Sequence, residues 1–287
     1  MSASRSSPLV PLDPCRPLGV FDSGLGGLTV VRALRRRLPS ESILYFGDTA
    51  RVPYGPKSPE TIRRFTREIT RFLTRQGVKM IVAACNTCSA TSLDCVQMEF
   101  EGPVLGVIEP GVEAAAAATR NRRIGVIGTQ ATIHSGAYER FLRERLPDSK
   151  VYSTACPLFV PLAEERLENH PATRLIAEDY LKPLLEQDID TLILGCTHYP
   201  LLRDAIQATV GNKVTVVDSA EATAERAACR LLELDLAAPE GESAAFRYFV
   251  SDDPGGLERF FERLMPGDPR WIGTARPDEV DEPVLRG

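Results

Sequence analysis

Met80-Ile81-Val82-Ala83-Ala84-Cys85 is an apolar run that ends in a cysteine and is followed by Asn86-Thr87. A second run of the same design, Thr191-Leu192-Ile193-Leu194-Gly195-Cys196, is followed by Thr197-His198. Each run has the length and apolar character of a strand that is buried on both faces of a parallel sheet. A cysteine at the carboxyl end of such a strand lies where open α/β sheets bind their ligands. The two runs therefore predict an α/β fold in which a thiol stands on each side of one site.

The same strand pattern recurs along most of the 287-residue chain. The predicted strands are Leu18–Asp22, Ile43–Asp48, Met80–Cys85, Val104–Ile108, Arg123–Thr129, Val151–Cys156, Thr191–Cys196, Val214–Ser219 and Arg247–Ser251. Helical patterns separate them over Leu28–Leu38, Pro59–Gln76, Ala131–Leu146, Thr173–Glu186 and Ala220–Leu234. This alternation predicts mainly parallel sheets flanked by helices and joined by right-handed crossovers.

The chain also looks duplicated, because Gly19–Ser23 and Gly125–Thr129 each open a similar succession of strands and helices. We therefore predict two similar α/β lobes related by a pseudo-two-fold axis, with the active site in the cleft between them. The first lobe is predicted to span residues 17–110 and 220–265, and the second to span residues 111–219. Residues 1–16 are predicted to form a flexible tail, and residues 266–287 a partly ordered one.

Composition excludes several classes of protein. The net charge of −5 and the pI near 5.5 argue against a general nucleic-acid binder. No apolar run approaches the roughly 20 residues of a membrane-spanning helix, and the N-terminus lacks the apolar core of a signal peptide. The seven cysteines are not spaced like a disulfide framework, so we expect free thiols in a reducing cytoplasm.

The segment Cys85-Asn86-Thr87-Cys88 contains a C-x-x-C spacing, which raises two alternatives to a pair of separate thiols. One is a redox dithiol, and the other is a metal site that Cys196 and His198 would complete. The sequence favours neither, because it contains no second C-x-x-C and because redox motifs normally lie near the N-terminus of a small domain. Cys88 is instead predicted to pack in the core, where free cysteines are common.

Three further segments place functional side chains after strands. Asp22-Ser23-Gly24-Leu25-Gly26-Gly27 either brings backbone close to a ligand, or makes a simple turn in which Asp22 caps the next helix. The turn Pro53-Tyr54-Gly55 either exposes amides and a ring to the cleft or is an ordinary loop. Glu164 and Glu165 follow an apolar run, and either face the cleft or carry charge on a helix surface.

Four motifs, taken in order, resemble those of the bacterial glutamate racemases: Asp22-Ser-Gly-Leu-Gly-Gly27, Pro53-Tyr-Gly55, Cys85-Asn-Thr87 and Gly195-Cys-Thr-His-Tyr-Pro200. These enzymes belong to the cofactor-independent aspartate/glutamate racemase superfamily. The resemblance runs from about Pro17 to Leu264 and departs from the family at Cys88, where a small residue such as alanine is usual. It implies an isomerase that interconverts L- and D-glutamate and supplies D-glutamate for peptidoglycan synthesis.

The resemblance implies a two-base mechanism, in which one cysteine removes the α-proton from one face of glutamate and the other returns a proton to the opposite face. Cys196 would act on L-glutamate with the help of His198. Cys85 would act on D-glutamate with the help of Asp22. A free thiol has a pKa near 8.5, so the thiolate has to be favoured. We expect helix N-termini after both cysteines to contribute to this.

The other site residues implied by the resemblance support these groups. Glu164 is expected to hold His198, with the adjacent Glu165 as the alternative. The expected substrate contacts are Asp22, Ser23, Tyr54, Gly55, Asn86, Thr87, Thr129, Thr132, Thr197 and His198. Their hydroxyls, amides and backbone N–H groups would hold two carboxylates. The family implies no cofactor and no metal, a small-molecule substrate as the partner, neither nucleic acid nor membrane, and a homodimer.

Overall fold

The computed structural model describes residues 13–241, 243–268 and 270–278. The strands are β1 (Leu18–Asp22), β2 (Ile43–Gly47), β3 (Met80–Ala83), β4 (Val104–Gly106), β5 (Arg123–Gly128), β6 (Lys150–Ala155), β7 (Thr191–Gly195), β8 (Thr215–Asp218), β9 (Phe246–Val250) and β10 (Trp271–Thr274). The helices are α1 (Leu28–Arg37), α2 (Pro59–Arg75), α3 (Asn86–Thr91), α4 (Leu93–Glu99), α5 (Ile108–Ala118), α6 (Gln130–His134), α7 (Ala137–Arg145), α8 (Phe159–Glu164), α9 (Pro171–Leu185), α10 (Arg203–Val210), α11 (Ala220–Glu233) and α12 (Gly255–Leu264), with a 3-10 helix at Tyr199–Leu202.

The strands form two parallel sheets, which confirms the predicted α/β architecture. One sheet has six strands in the order β10-β9-β2-β1-β3-β4, and the other has four in the order β6-β5-β7-β8. Every pairing in both sheets is parallel. We name the six-stranded sheet with its helices the first lobe and the four-stranded sheet with its helices the second lobe. The residue bounds predicted for the two lobes remain a prediction.

Both sheets are buried on both faces, as continuously apolar strands require. All five residues of β1 are buried. Leu18 and Val20 pack into one apolar cluster while Phe21 packs into the cluster on the other face. Burying a side chain of this size stabilises the fold by about 1.5–3 kcal/mol. The second lobe likewise has a cluster on each face of its sheet.

The helix α2 shows how local sequence sets the layers around these sheets. Ser58 caps its N-terminus by accepting a hydrogen bond from the N–H of Thr61, and Pro59 occupies the first turn, where its missing N–H costs nothing. Ile62, Phe65, Ile69, Phe72 and Leu73 are buried on one face of the helix. None of the described helices combines the length and the apolar character that crossing a bilayer requires.

All nine predicted strands are present, to within a residue or two at either end. The helix predicted over Ala131–Leu146 is wrong as a single element, because it divides into α6 and α7. Gly136 adopts the left-handed conformation between them, with φ of 63°, and this interrupts the helical hydrogen bonding.

The two predicted tails fall partly outside the described residues, because residues 1–12 and 279–287 are not among them. Within the described part of the N-terminal segment, the carbonyl of Pro14 accepts a hydrogen bond from the buried Lys79 ammonium. The C-terminal segment from Pro266 contributes β10, which pairs with β9 at the edge of the six-stranded sheet. The sequence pattern did not indicate this tenth strand.

The topology brings the predicted functional residues to one place. Asp22 ends β1, and Cys85 follows the neighbouring strand β3. Thr129 and Cys196 directly follow β5 and β7, which are the two central strands of the second sheet. Because the carboxyl ends of parallel strands share one edge of a sheet, each lobe presents its residues as a group.

Candidate active site

A cavity between the lobes is lined by both Cys85 and Cys196. Its lining consists of Ser23, Val52, Pro53, Tyr54, Gly55, Cys85, Asn86, Thr87, Thr129, Val160, Cys196, Thr197 and His198. Most of the residues expected at the site are therefore brought together. Asp22, Thr132 and Glu164 do not line the cavity. Each of them lies within hydrogen-bond distance of a residue that does.

Cys85 is the N-cap residue of α3, as predicted, and is 4% exposed. The pKa of its thiol is lowered, first by a hydrogen bond from the Cys88 thiol and also by the Cys88 backbone amide and Ser23. Ser23 Oγ lies 3.5 Å from the Cys85 sulfur. Burial and the negative charge of Asp22 act in the opposite direction but do not prevail. The environment of Cys85 therefore favours the thiolate, which is the form that can remove a proton.

Cys88 is fully buried in the first-lobe core, so its predicted place in the packing is confirmed. Packing is not its whole contribution, because the Cys88 side chain is the largest cause of the lowered pKa of the Cys85 thiol. Burial raises the pKa of Cys88 well above its ordinary value, and the contact with Cys85 raises it further. Cys88 therefore stays protonated and remains a hydrogen-bond donor.

Cys196 follows β7 directly, and its sulfur lies 4.0 Å from Nδ1 of His198. The other ring nitrogen, Nε2, lies 3.1 Å from Oε1 of Glu164. The structure thus places Glu164, rather than Glu165, against His198. Burial by itself would lower the pKa of His198, but the hydrogen bonds to Cys196 and Glu164 together raise it well above 6.5. The raised pKa favours the protonated His198 ring, which can donate to the Cys196 sulfur.

The helix N-terminus predicted after Cys196 is present only as that of a short 3-10 helix. Thr197 and His198 follow the strand, a 3-10 helix begins at Tyr199 with Pro200 in its first turn, and α10 begins only at Arg203. The cationic partner of Cys196 is the His198 ring rather than a helix dipole.

Asp22 is fully buried at the junction of the lobes. Its carboxylate accepts a hydrogen bond from the Gly24 N–H at 3.1 Å, and one from the Thr197 hydroxyl of the other lobe at 3.2 Å. Burial raises the pKa of Asp22 above its ordinary value, and attraction to His198 together with these hydrogen bonds only partly offsets the rise. The raised pKa makes the Asp22 carboxyl group better able to hold a proton and pass it on.

The glycine-rich segment Asp22–Gly27 allows the two lobes to approach each other closely. A Cβ on Gly26 would lie 2.4 Å from Thr197 Oγ1 and 2.6 Å from His198 Nδ1, both of which are too close for a real side chain. A Cβ on Gly55 would likewise lie 2.8 Å from the Cβ of Thr129. The alternative in which Asp22 caps α1 is wrong, since Gly27 is the N-cap residue and has no side chain to cap it.

Three hydroxyls join the lobes on the Cys85 side of the cavity. Thr87 Oγ1 of α3 lies 2.9 Å from Thr129 Oγ1 and 3.2 Å from Thr132 Oγ1. Thr129 and Thr132 are themselves 3.0 Å apart. Tyr54 lines the cavity, but its hydroxyl donates to Asp48, so the turn at Tyr54 can offer only its ring and backbone to a ligand.

A family model of the Asp/Glu/Hydantoin racemases matches residues 28–227. The chain is 50% identical to a glutamate racemase from Geobacter metallireducens over 254 residues, which cover 88% of this chain and 94% of that protein. The chain belongs to the glutamate racemase family. Membership confirms the predicted enzyme class, an amino-acid racemase, and the resemblance inferred from the four motifs.

Solved structures of glutamate racemases have the same fold. The structure of an isoform from Bacillus anthracis is 41% identical, with a TM-score of 0.87, and covers 91% of this chain and 97% of that one. The structure from Francisella tularensis in complex with D-glutamate is 37% identical, with a TM-score of 0.86, over 92% of this chain and 99% of that one. The two-lobed fold of this racemase chain is thus a property of the family.

The racemase cavity is closed. Its volume is about 20 Å³, which is room for one water molecule and far below the roughly 300 Å³ of a small-molecule site. A cavity of about 330 Å³ lies beside it, shares Val52 with it and is lined by Glu164, Arg166 and Arg259 among others. An amino acid can therefore enter the space between the cysteines only if the lobes or their loops first separate.

Among the described residues of this racemase chain, no group of three or more His, Cys, Asp or Glu side chains is placed to hold a metal ion. Two features of the site were not predicted from the sequence: the effect of Cys88 on the pKa of Cys85, and the hydrogen bond from the Tyr138 hydroxyl to Asn86. The first had a local signal in the C-x-x-C spacing. The second had none, since it joins residues that are distant in sequence.

Proposed function

We propose that this protein interconverts L- and D-glutamate by transferring protons between the α-carbon and two cysteines. The observation that carries the proposal is that Cys85 and Cys196 line one small cavity from opposite lobes. Inversion of a stereocentre through a planar carbanion needs an acid–base group on each face, and two opposed thiols meet that need.

With L-glutamate, the Cys196 thiolate takes the α-proton, and the electron pair of the broken C–H bond remains on carbon as a carbanion. The Cys85 thiol then donates its proton to the opposite face, so that D-glutamate forms and Cys85 becomes the thiolate. With D-glutamate the same two steps run in reverse, starting from the Cys85 thiolate. Each turnover leaves the two sulfurs with their protonation states exchanged.

Neighbouring groups support each half of this chemistry. On the Cys85 side, the Ser23 hydroxyl lies within hydrogen-bond distance of the sulfur and the Cys88 side chain lowers the pKa of the thiol. Asp22, whose pKa is raised by burial, is a proton source for this side. On the Cys196 side, the imidazolium of His198, held by Glu164, can donate to the sulfur.

We propose that fixed hydrogen-bond donors, in a site that excludes water, stabilise the carbanion and the two carboxylates of glutamate. The donors we propose are Asn86, Thr87, Thr129, Thr197 and backbone N–H groups at Ser23 and Gly55, all in the cavity lining. Thr132 would act through its contacts with Thr87 and Thr129.

We further propose that the D-glutamate supplies peptidoglycan synthesis, and that the enzyme works in the cytoplasm as a homodimer without a cofactor. Among the described residues, Cys85, Cys88, Cys95, Cys156, Cys196 and Cys229 form no disulfide, which agrees with a reducing compartment. The dimer and the metabolic role rest on family membership alone.

Incubation of the purified protein with L- or D-glutamate in D2O, without added metal or cofactor, tests the activity. We expect circular dichroism to show loss of optical activity from either enantiomer, with deuterium at the α-carbon of the product. Absence of exchange with both enantiomers would refute the proposal. Faster turnover of aspartate would reassign the substrate within the family.

Cys85→Ala and Cys196→Ala test the two-base mechanism. Each change removes the acid–base group on one face, so we expect racemisation to fall by at least about 10³-fold. Cys95→Ala is the matched control, because it deletes an equally buried thiol outside the cavity lining. Full racemisation by either active-site variant would contradict the mechanism.

A further inference from the structure

The Tyr138 side chain bridges the two lobes at the active site. It lies on α7 of the second lobe, and its hydroxyl donates to Oδ1 of Asn86 on α3 of the first lobe at 2.6 Å. Asn86 directly follows Cys85 in the chain and lines the cavity. Tyr138 itself is 1% exposed and is not part of the lining.

The same ring also contacts the segment that carries the second cysteine. A Cβ on Gly195, the residue before Cys196, would lie 2.9 Å from Tyr138 Cε2. On another side of the ring, a Cβ added to Gly111 of α5 would lie 3.6 Å from the Tyr138 hydroxyl, which is van der Waals contact distance. Tyr138 is thus packed between fixed backbone segments and has little freedom to turn.

The hydrogen bond determines which way the Asn86 amide faces. A buried hydroxyl that donates to Oδ1 leaves the Nδ2 group, with its two N–H donors, to face elsewhere. Burial raises the pKa of Tyr138 above its ordinary value, so the phenol keeps its proton and remains a donor. If the amide were reversed, both the phenol O–H and a carboxylate in the cavity would lose their partners, at a cost typical of unsatisfied buried groups.

We propose that Tyr138 is a positioning residue that fixes the Asn86 amide with its N–H donors toward a substrate carboxylate. This inference rests on the proposed function of the site, because it names glutamate as the occupant. Tyr138 does not touch the substrate. It acts through Asn86. Because Tyr138 belongs to the second lobe, it orients the Asn86 amide of the first lobe only when the two lobes are in contact.

Tyr138→Phe removes only the hydroxyl and leaves the ring contact with Gly195 in place. Because a carboxylate contact is made equally in the ground and transition states, we expect KM for both enantiomers to rise about five- to tenfold while kcat changes little. The dissociation constant of D-glutamate, measured by isothermal titration calorimetry, should rise by the same factor. Calorimetry tests the inference without turnover, whereas turnover of the wild-type protein tests the proposed function.

A double-mutant cycle with Asn86→Ala distinguishes positioning from general support of the fold. If Tyr138 acts through Asn86, the double variant should bind D-glutamate as weakly as Asn86→Ala alone. Additive losses, or unchanged affinity in Tyr138→Phe, would overturn the inference.

Tyr199→Phe is the matched control, because its equally buried hydroxyl donates to the carbonyl of Cys156, away from the cavity, at 2.8 Å. We expect Tyr199→Phe to lower the free energy of unfolding about as much as Tyr138→Phe does. We expect its affinity for D-glutamate to be unchanged. Equal weakening of D-glutamate binding in the control variant would also overturn the inference.

Discussion

At the residue scale, the environment of Cys85 is set by its neighbour three positions on. Cys88 is the first cause of the lowered pKa of Cys85. A buried thiol therefore favours the thiolate form of Cys85. The C-x-x-C spacing places the Cys88 side chain where it lowers the pKa of Cys85.

Cys88→Ala should raise the pKa of Cys85, since the largest effect that lowers it is removed. The base is active only above its pKa, so the acid limb of the activity profile should move to higher pH. Turnover at pH 7 should fall roughly tenfold, as for the loss of one hydrogen bond to a charged atom. Rates of Cys85 alkylation as a function of pH, followed on its peptide by mass spectrometry, measure the shift. An unchanged profile would leave Cys88 with a packing role only, and Cys88→Ser should restore part of the effect.

Glu164→Gln should lower the pKa of His198, because one of the two hydrogen bonds that raise it is weakened. A step that needs the imidazolium is supported below the raised pKa and is lost as pH rises through it. The alkaline limb of the profile for kcat should therefore move to lower pH in the variant. Glu165→Gln is the control, since the adjacent carboxylate does not contact His198, and it should keep the wild-type limb. The same alkaline limb in Glu164→Gln and wild type would contradict this role.

At the scale of elements, the glycine loop between β1 and α1 sets how closely the lobes approach. The Cβ of Gly26→Ala would overlap with Thr197 and His198 in the closed arrangement. Overpacking of this kind costs about 1–3 kcal/mol, and the lobes can relieve it by staying apart.

We therefore expect Gly26→Ala to lower kcat/KM by at least about tenfold while the free energy of unfolding changes little. Gly256→Ala is the control, because its Cβ would meet nothing nearer than Leu25 Cδ1 at 3.7 Å. Steady-state kinetics and urea unfolding on both variants provide the comparison. A large loss of stability in Gly26→Ala with normal turnover would show that the loop supports the fold and not closure.

The elements that were predicted from the sequence are those with a recurring environment, such as strands whose sheet is covered by helices on both faces. A strand such as β7 is apolar throughout because helices cover both faces of its sheet, and this pattern is visible locally. The strand β10 was missed because it is short, only partly buried and next to proline and glycine at the edge of the sheet. The bond between Tyr138 and Asn86 had no local pattern, since it forms only once the lobes meet.

At the scale of the whole molecule, access to the site requires movement. The closed cavity of about 20 Å³ does not admit an amino acid, and the contacts that close it include Thr197 to Asp22 and the three threonine hydroxyls. Each of these is a single polar contact, which can exchange for water when the lobes part.

D-Glutamate should stabilise the closed arrangement by binding the folded protein alone. At a hundredfold excess over Kd the free energy of unfolding should rise by about 2.7 kcal/mol. Hydrogen exchange of the amides around Thr87 and Thr129 should slow at the same time, because these contacts join the lobes. D-Lysine, which lacks a second carboxylate, serves as the control ligand. Equal exchange with and without D-glutamate would argue against closure on the substrate.

The closed cavity also has a consequence for inhibitor design. A compound shaped to the space between the two sulfurs could contain only a few atoms, and atom count limits the affinity that a small ligand can reach. A larger compound would have to extend past Val52 into the neighbouring cavity and keep the lobes apart. Selection for compounds that resemble glutamate would miss such molecules, whereas selection for binding to the open protein would find them.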